Sequence, residues 1–426
     1  MKIHPDDITT FNQADENQRA EDLDFLTRRL TSSGHDPEKI LDRLSDLQIA
    51  IPSWALGSGG TRFGRFPIGG QPRNLEEKIE DVGLLHQLSQ MAGNISLHIP
   101  WDIPDDTERI KALAAEYHLT FDAMNSNTFQ DQPDQKLSYK FGSLSHTDPS
   151  VRKQAVEHNK QVIDYGKSLG SKSMTVWLAD GSNHPGQTNL SAALKRTGDS
   201  LAEIYAHMPA DWSLFIEYKP FEPYFYSTVI PDWGTSYLLA SETGERAYSL
   251  VDLGHHLPNT NIEQIVATLI SRGKLGGFHF NDSKYADDDI TVGSIKPYQL
   301  FLIFMEIIQG SATSPHNPDI AYMIDASHNL KDPLLDLLES LDAIGLAFLK
   351  ASLIDYEALS DAQNRNDISR SSAILQDAFH TDVRPLLREY RVRKGGVHDP
   401  IRFYAEHNIR EQLIRNRGKN TLATGL

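Results

Sequence analysis

A chain of 426 residues, 39% of them hydrophobic, is long enough to bury one large core with appendages or two separate cores. Its formal net charge of −17 repels phosphate backbones and argues against a nucleic-acid partner, and the absence of cysteine excludes disulfides, thiolate metal ligands and cysteine nucleophiles. No apolar run reaches the ~20 residues of a membrane helix, and the opening MKIHPDDITT has no signal-peptide core, so a cytoplasmic protein without membrane contact is expected.

The stretches from about Ala14 to Ser33 and from Pro37 to Gln48 are charged and amphipathic, with Asp36 and Pro37 placed as an N-cap and a first-turn proline. They predict helices packed outside the core. A short apolar strand, Ile49 to Trp54, leads into the glycine-rich stretch Leu56 to Gly64. That stretch lacks the Lys-Ser/Thr ending of a P-loop and the spacing of a dinucleotide fingerprint, and reads as a mobile or interface loop. A helical pattern from Leu75 to Met91 precedes the strand Ile95 to His98, which is followed by Pro100, Trp101 and Asp102. A helix near Asp105 to Tyr117 leads to the strand Leu119 to Met124 and the polar loop Asn125-Ser126-Asn127. Asp148-Pro149 opens a helix that lasts to Gly170, and strand four, Ser173 to Trp177, follows.

After a helix from Leu190 to His207, strand five runs from Leu214 to Lys219. Strand six is the apolar run Tyr248 to Val251, which passes into Asp252-Leu253-Gly254-His255-His256. A helix from Asn261 to Arg272 leads to strand seven, Leu275 to Phe280; strand eight, Ile320 to Asp325, precedes a helix begun by Asp332-Pro333. Eight strands alternating with helices predict an α/β fold, a parallel (β/α)8 TIM barrel over 49–349, although a doubly wound sheet can hold the same count. A helical segment at 1–48 precedes it, and a charged helical extension at 350–426 is expected to lean on the barrel or on a neighbouring subunit.

Barrels keep their chemistry at the C-terminal strand ends. Strands five to eight all finish there in ionisable residues: Glu217 with Lys219, then Asp252, His279 and Asp325. Adjacent strands lie about 4.8 Å apart, so curvature would converge Glu217, Asp252, His279 and Asp325 on one divalent cation. Each alone reads as a capped loop carboxylate or a hydrogen-bonded histidine; four in succession favour a metal site. Carboxylates and imidazoles suit Mn, Co, Zn or Mg. The acidic loop Asn281 to Asp289 reads by itself equally well as a solvated loop, but with His255 nearby its Asp287 and Asp289 can complete a second oxygen-rich site sharing Asp252. Trp54, Trp101, Phe129 and Trp177, at or beyond strand ends, suit the apolar faces of a sugar, with core packing the competing account of each.

From about Ile51 to Asp332 the chain closely resembles the broad-specificity L-rhamnose isomerases of the xylose-isomerase-like barrel superfamily. The resemblance rests on IPSW at 51–54, GGTRF at 59–63, SLHIPWD at 96–102, FDAMNSNTF at 121–129, FGSLSHT at 141–147, VDLGHH at 251–256, GGFHFNDSKY at 276–285 and MIDASHN at 323–329. It implies that Glu217, Asp252, His279 and Asp325 hold a structural metal and that Asp252, His255, Asp287 and Asp289 hold a catalytic one. Two divalent cations per subunit follow, with Mn2+ expected first and Co2+, Zn2+ or Mg2+ also suiting the donors.

The same resemblance implies that Lys219 polarises the carbonyl of an open-chain sugar, that Asp325 is catalytic as well as a metal ligand, and that His98 serves ring opening. It implies that Phe63 reaches into the next subunit's pocket in a homotetramer. It leaves Asp102 unassigned, because His-Ile-Pro-Trp-Asp differs from the local motif in which xylose isomerases pair a histidine with an aspartate. The reaction implied is reversible conversion of L-rhamnose to L-rhamnulose, extending to D-allose and D-psicose. Metals would hold O1 and O2 while a hydride passes from C2 to C1, with enediol proton transfer as the rival route. Ketose 3-epimerases of the same superfamily are the nearest chemical alternative. A metal-dependent endonuclease conflicts with the net charge, and a non-catalytic sugar-binding protein would need neither Lys219 nor a second metal site.

Overall fold

Strands that are apolar on both faces need cover on both sides, and these eight obtain it by closing into a ring wrapped in helices. The computed structural model describes residues 1–58, 60–61, 64–222, 226–285, 287–314, 319–326 and 330–421. The strands are β1 (Ala50–Pro52), β2 (Asn94–Ser96, resumed as His98–Ile99), β3 (Thr120–Phe121, resumed as Met124–Ser126), β4 (Ser173–Val176), β5 (Ser213–Glu217), β6 (Ala247–Asp252), β7 (Leu275–Phe280) and β8 (Ala321–Ile324). Each pairs in parallel with the next. Ala50 of β1 pairs with both Asn94 of β2 and Met323 of β8, which closes the barrel. The expected (β/α)8 architecture is the one observed.

Three helices precede β1: α1 (Pro5–Ala14), α2 (Glu16–Ser32) and α3 (Pro37–Ser45). The barrel helices are α4 (Leu75–Ser89), α5 (Thr107–Glu116), α6 (Pro149–Leu169), α7 (Leu190–His207), α8 (Trp233–Thr243), α9 (Ile262–Ser271), α10 (Pro297–Thr313) and α11 (Pro333–Ser352). The Asp-Pro pairs act as expected: Asp36, Asp148 and Asp332 each accept a backbone N–H from the first turn. The sequence reading passed over α1, α8 and α10. Helix α8, WGTSYLLASET, has almost no apolar stripe, and α10, PYQLFLIFMEIIQ, is apolar nearly all round because it packs between α9 and α11. Among the described residues no helix is long and apolar enough to cross a membrane.

One irregularity places the functional end of the barrel. Ser249 pairs with Leu275 but Leu250 pairs with Gly277, so Gly276 is an extra residue in β7. The bulge sets Asp252 opposite His279; an unbroken register would have put Phe278 there. A Cβ at Gly276 would come within 2.6 Å of Phe215 and Tyr248, so only glycine fits the bulge without displacing neighbours.

The chain ends in α12 (Tyr356–Asn364), α13 (Ile368–His380), α14 (Arg384–Arg393), α15 (Pro400–Glu406) and α16 (Ile409–Arg417), which return across α11 and the N-terminal helices. The last of them is fastened to the barrel. Arg417 pairs with the buried Asp81 of α4 at 2.7 Å and donates to the Gly70 carbonyl, while the Gly70 N–H donates to the Gly418 carbonyl at 2.8 Å. Gly70 has φ +68°, and a Cβ there would lie 2.8 Å from the Ile414 nitrogen. Arg417→Ala leaves Asp81 as an unpaired buried carboxylate, and urea denaturation is expected to show a loss of about 3–5 kcal/mol.

Candidate metal centre

The C-terminal ends of β5 to β8 bring Glu217, Asp252, His279 and Asp325 together, each offering one ligand atom within 4.8 Å of all the others. Register explains the convergence: Asp252 lies opposite His279, and Glu217 pairs with Leu250, two residues before Asp252 and on the same face. Asp325 follows β8 directly. Asp252 Oδ1 is fixed by the N–H groups of Gly254 at 2.8 Å and His255 at 3.2 Å and by Asn281 Nδ2 at 3.0 Å. Asp252 Oδ2 is buried with no hydrogen-bond partner. His279 Nδ1 sits 3.3 Å from Glu217 Oε1 and 3.4 Å from Asp325 Oδ2, close to both but misaligned for a hydrogen bond. Three carboxylates and an imidazole with two open buried donor atoms fit a divalent cation.

Without a cation these groups must compensate one another. Burial alone would raise Glu217, but the His279 charge, with the contacts of His255 and His279, holds it down at about 2. Burial would depress His279; the neighbouring Glu217 and Asp325 instead raise it to about 10. Asp252 is pushed up to about 6 by burial, with Glu217 and Asp325 adding to the rise and His255 opposing it.

The residues expected to hold a second cation take part in polar contacts around the end of β6. His255 Nδ1 faces the Tyr218 carbonyl at 3.0 Å, and Nε2 lies 2.9 Å from Asp287 Oδ1. Asp289 accepts from Asn281, the same side chain that holds Asp252. Asp287 and Asp289 both have left-handed backbones, φ 50° and 49°, and the Asp287 N–H reaches the Gly254 carbonyl, tying the acidic loop to the turn after β6. Burial and the charges of Asp287, Asp325 and Asp252 hold Asp289 well above the usual carboxylate range. Lys219 donates to Glu222 Oε2 at 2.8 Å and to Asp287, and its ammonium lies 5.3 Å from the centre of the Trp177 ring. Burial would lower Lys219, but Asp287 and Glu222 hold it above its ordinary value.

A cavity of about 270 Å3 opens onto these groups, lined also by Trp54, His98, Phe129 and Trp177. Trp101 stands behind that wall, its ring 4.7 Å from His98 and 6.2 Å from Phe129. Phe63 lies outside the described residues. Asn125, Ser126 and Thr175 line the cavity too and were not singled out from the sequence; for Thr175 the signal was its place near the C-terminal end of β4, two residues before Trp177. Asp102 does not touch the His98 ring but accepts from the His98 backbone N–H. Burial holds the His98 imidazole down at about 4, and its Nδ1 has no partner among the described residues. A larger cavity of about 710 Å3, bordered by Phe141, Arg196 and Thr235, has no carboxylate among its lining residues and lies apart from this chemistry.

The profile of the xylose isomerase-like TIM barrel matches residues 82–301, just over half of the chain. The chain belongs to that family. It is 50% identical over 404 residues to a protein of Mesorhizobium japonicum named a probable sugar isomerase, covering 95% of this chain and 94% of that one. A Rhizobium meliloti protein of the same name is 48% identical over 396 residues, 93% of this chain and 92% of its own. Among solved structures, an L-ribulose 3-epimerase superposes with a TM-score of 0.52 at 17% identity, over 72% of this chain and 95% of that one, a likeness of fold.

In this xylose isomerase-like barrel, His279 is raised from 6.5 to about 10, so the stability it contributes is complete below pH 6.5 and is lost as pH rises toward 10. Melting temperatures of chelator-treated protein are expected to fall across that window. Saturating divalent cation should flatten the slope, because the ion replaces the proton as the positive charge among the carboxylates.

Proposed function

We propose that this protein is a divalent-metal-dependent aldose–ketose isomerase that interconverts L-rhamnose and L-rhamnulose and also takes D-allose to D-psicose. The observation that carries the proposal is the Lys219 ammonium, paired with Asp287 and Glu222 and standing in the same small cavity as the ligand cluster. The names of the two near relatives support isomerisation of a sugar. The fold likeness to an epimerase carries no argument about the reaction.

Isomerisation moves hydrogen between C1 and C2 and places negative charge on the carbonyl oxygen. Lys219, held protonated by two carboxylates, donates a hydrogen bond where that charge grows. A cation held by Glu217, Asp252, His279 and Asp325, and a second held by Asp252, His255, Asp287 and Asp289, would supply Lewis-acid polarisation of the carbonyl and ease loss of the neighbouring hydroxyl proton. Mn2+ is the expected ion. His98, buried and neutral, can give its N–H proton to the ring oxygen as its other nitrogen takes the proton of the anomeric hydroxyl, so that the C1–oxygen bond breaks, the aldehyde forms and the imidazole stays neutral. Trp54, Phe129 and Trp177 offer apolar surface to the carbon chain and exclude water from it.

The test is ketose formation from L-rhamnose and D-allose by chelator-stripped protein before and after Mn2+ is restored, with a C3-epimer assay on ketoses alongside. Metal-dependent L-rhamnulose is expected, with Lys219→Met lowering kcat about 10²–10³-fold. Epimerisation of a ketose without any aldose conversion would replace this proposal with the 3-epimerase alternative.

A further inference from the structure

Asp102 takes no part in the chemistry proposed above, yet it is wholly buried and both of its oxygens are engaged. Oδ1 accepts from Lys78 Nζ at 2.6 Å; Oδ2 accepts from the His98 backbone N–H at 2.8 Å and from the Ser53 hydroxyl. Lys78, on α4, is equally buried. Two charges removed from water are tolerated only when their hydrogen bonds are completed. Here the bonds are directed at the two residues that present the wall of the cavity. Ser53 opens the 3-10 turn that carries Trp54, and His98 opens the second part of β2.

Trp54 and His98 meet edge to face with ring centroids 5.1 Å apart. The Trp54 indole N–H then donates to Asp325 Oδ1 at 2.8 Å, a carboxylate of the ligand cluster. A continuous chain of contacts therefore runs from Lys78 through Asp102 and Ser53 to Trp54 and Asp325. Only a carboxylate can serve at its centre, because three donors converge on it: an ammonium, an amide and a hydroxyl. An asparagine would turn an N–H2 group toward one of them.

The geometry points to Asp102, with Lys78 as its counter-charge, as the positioning residue of the sugar-facing wall: it sets His98 and Trp54 from behind and, through the Trp54 indole, fixes the orientation of Asp325. This role rests on the sugar-isomerase reading for its substrate but not for its effect on the ligand cluster.

The experiment compares wild type with Ser53→Ala, which removes one hydroxyl bond, and with Asp102→Asn. Three quantities are measured: Mn2+ affinity of the stripped protein by electron paramagnetic resonance of the free ion, KM and kcat for L-rhamnose, and melting temperature. Both variants are expected to weaken Mn2+ binding and raise KM, by about 10–100-fold for Asp102→Asn and less for Ser53→Ala, with kcat changed less than KM. Variants that melt earlier yet keep the wild-type Mn2+ affinity and KM would overturn the positioning role and leave Asp102 as a packing element. Should Asp102→Asn not fold, Ser53→Ala decides. Should wild type convert no aldose, the proposed function fails and the Mn2+ titration alone still decides the positioning claim.

Discussion

Like charges do not crowd together in a protein interior unless something opposite is held among them. Three carboxylates share the C-terminal end of this barrel with one imidazole, and the ring of strands keeps them from separating. In the protein without a cation, a proton on His279 supplies the missing charge, and Asp252 is drawn up toward about 6. The free oxygen of Asp252 and the free nitrogen of His279 mark where a cation would take over. The closed sheet, the bulge and the anchored turn after β6 all serve to hold this set of donors in place.

Around that centre, the loops are held by polar contacts, several of them between distant parts of the chain. Lys219 from the end of β5 grips Asp287 of the acidic loop, and Lys331 reaches Thr291 at 2.9 Å and Asp336 at 2.8 Å, joining the loops that follow β7 and β8. Arg410 pairs with Asp332, and Arg417 pairs with Asp81 and donates to the Gly70 carbonyl, so α16 braces the start of α11, α4 and the loop that precedes α4. The rim is thereby built from sequence-remote charges while the floor is built from consecutive strands.

That division decides what could be read from the residues. Strand-end placement of Glu217, Asp252, His279 and Asp325 was legible, because parallel strands in sequence become neighbours in space. The bulge at Gly276 was not: GGFHF gives composition but not register, and register is settled by the packing of Phe215 and Tyr248 against β7. Lys78 as the partner of Asp102 was equally hidden, since nothing in the pattern of α4 separates it from the other charged residues of that helix, and its burial follows from helix docking. Position alone does not tell which aromatic residues line the cavity: the turn after β2 sets Trp101 edge-on against His98, and Trp101 is not among the lining residues. The unread helices α8 and α10 lacked the one-sided stripe that sequence patterns detect.

The central claim is that the ends of β5 to β8 form one cation site. Diffraction at the manganese absorption edge, from crystals soaked in Mn2+, tests it most directly. An anomalous peak is expected about 2.0–2.3 Å from one atom each of Glu217, Asp252, His279 and Asp325. A peak elsewhere with this cluster empty, or no peak at saturating Mn2+, would contradict it.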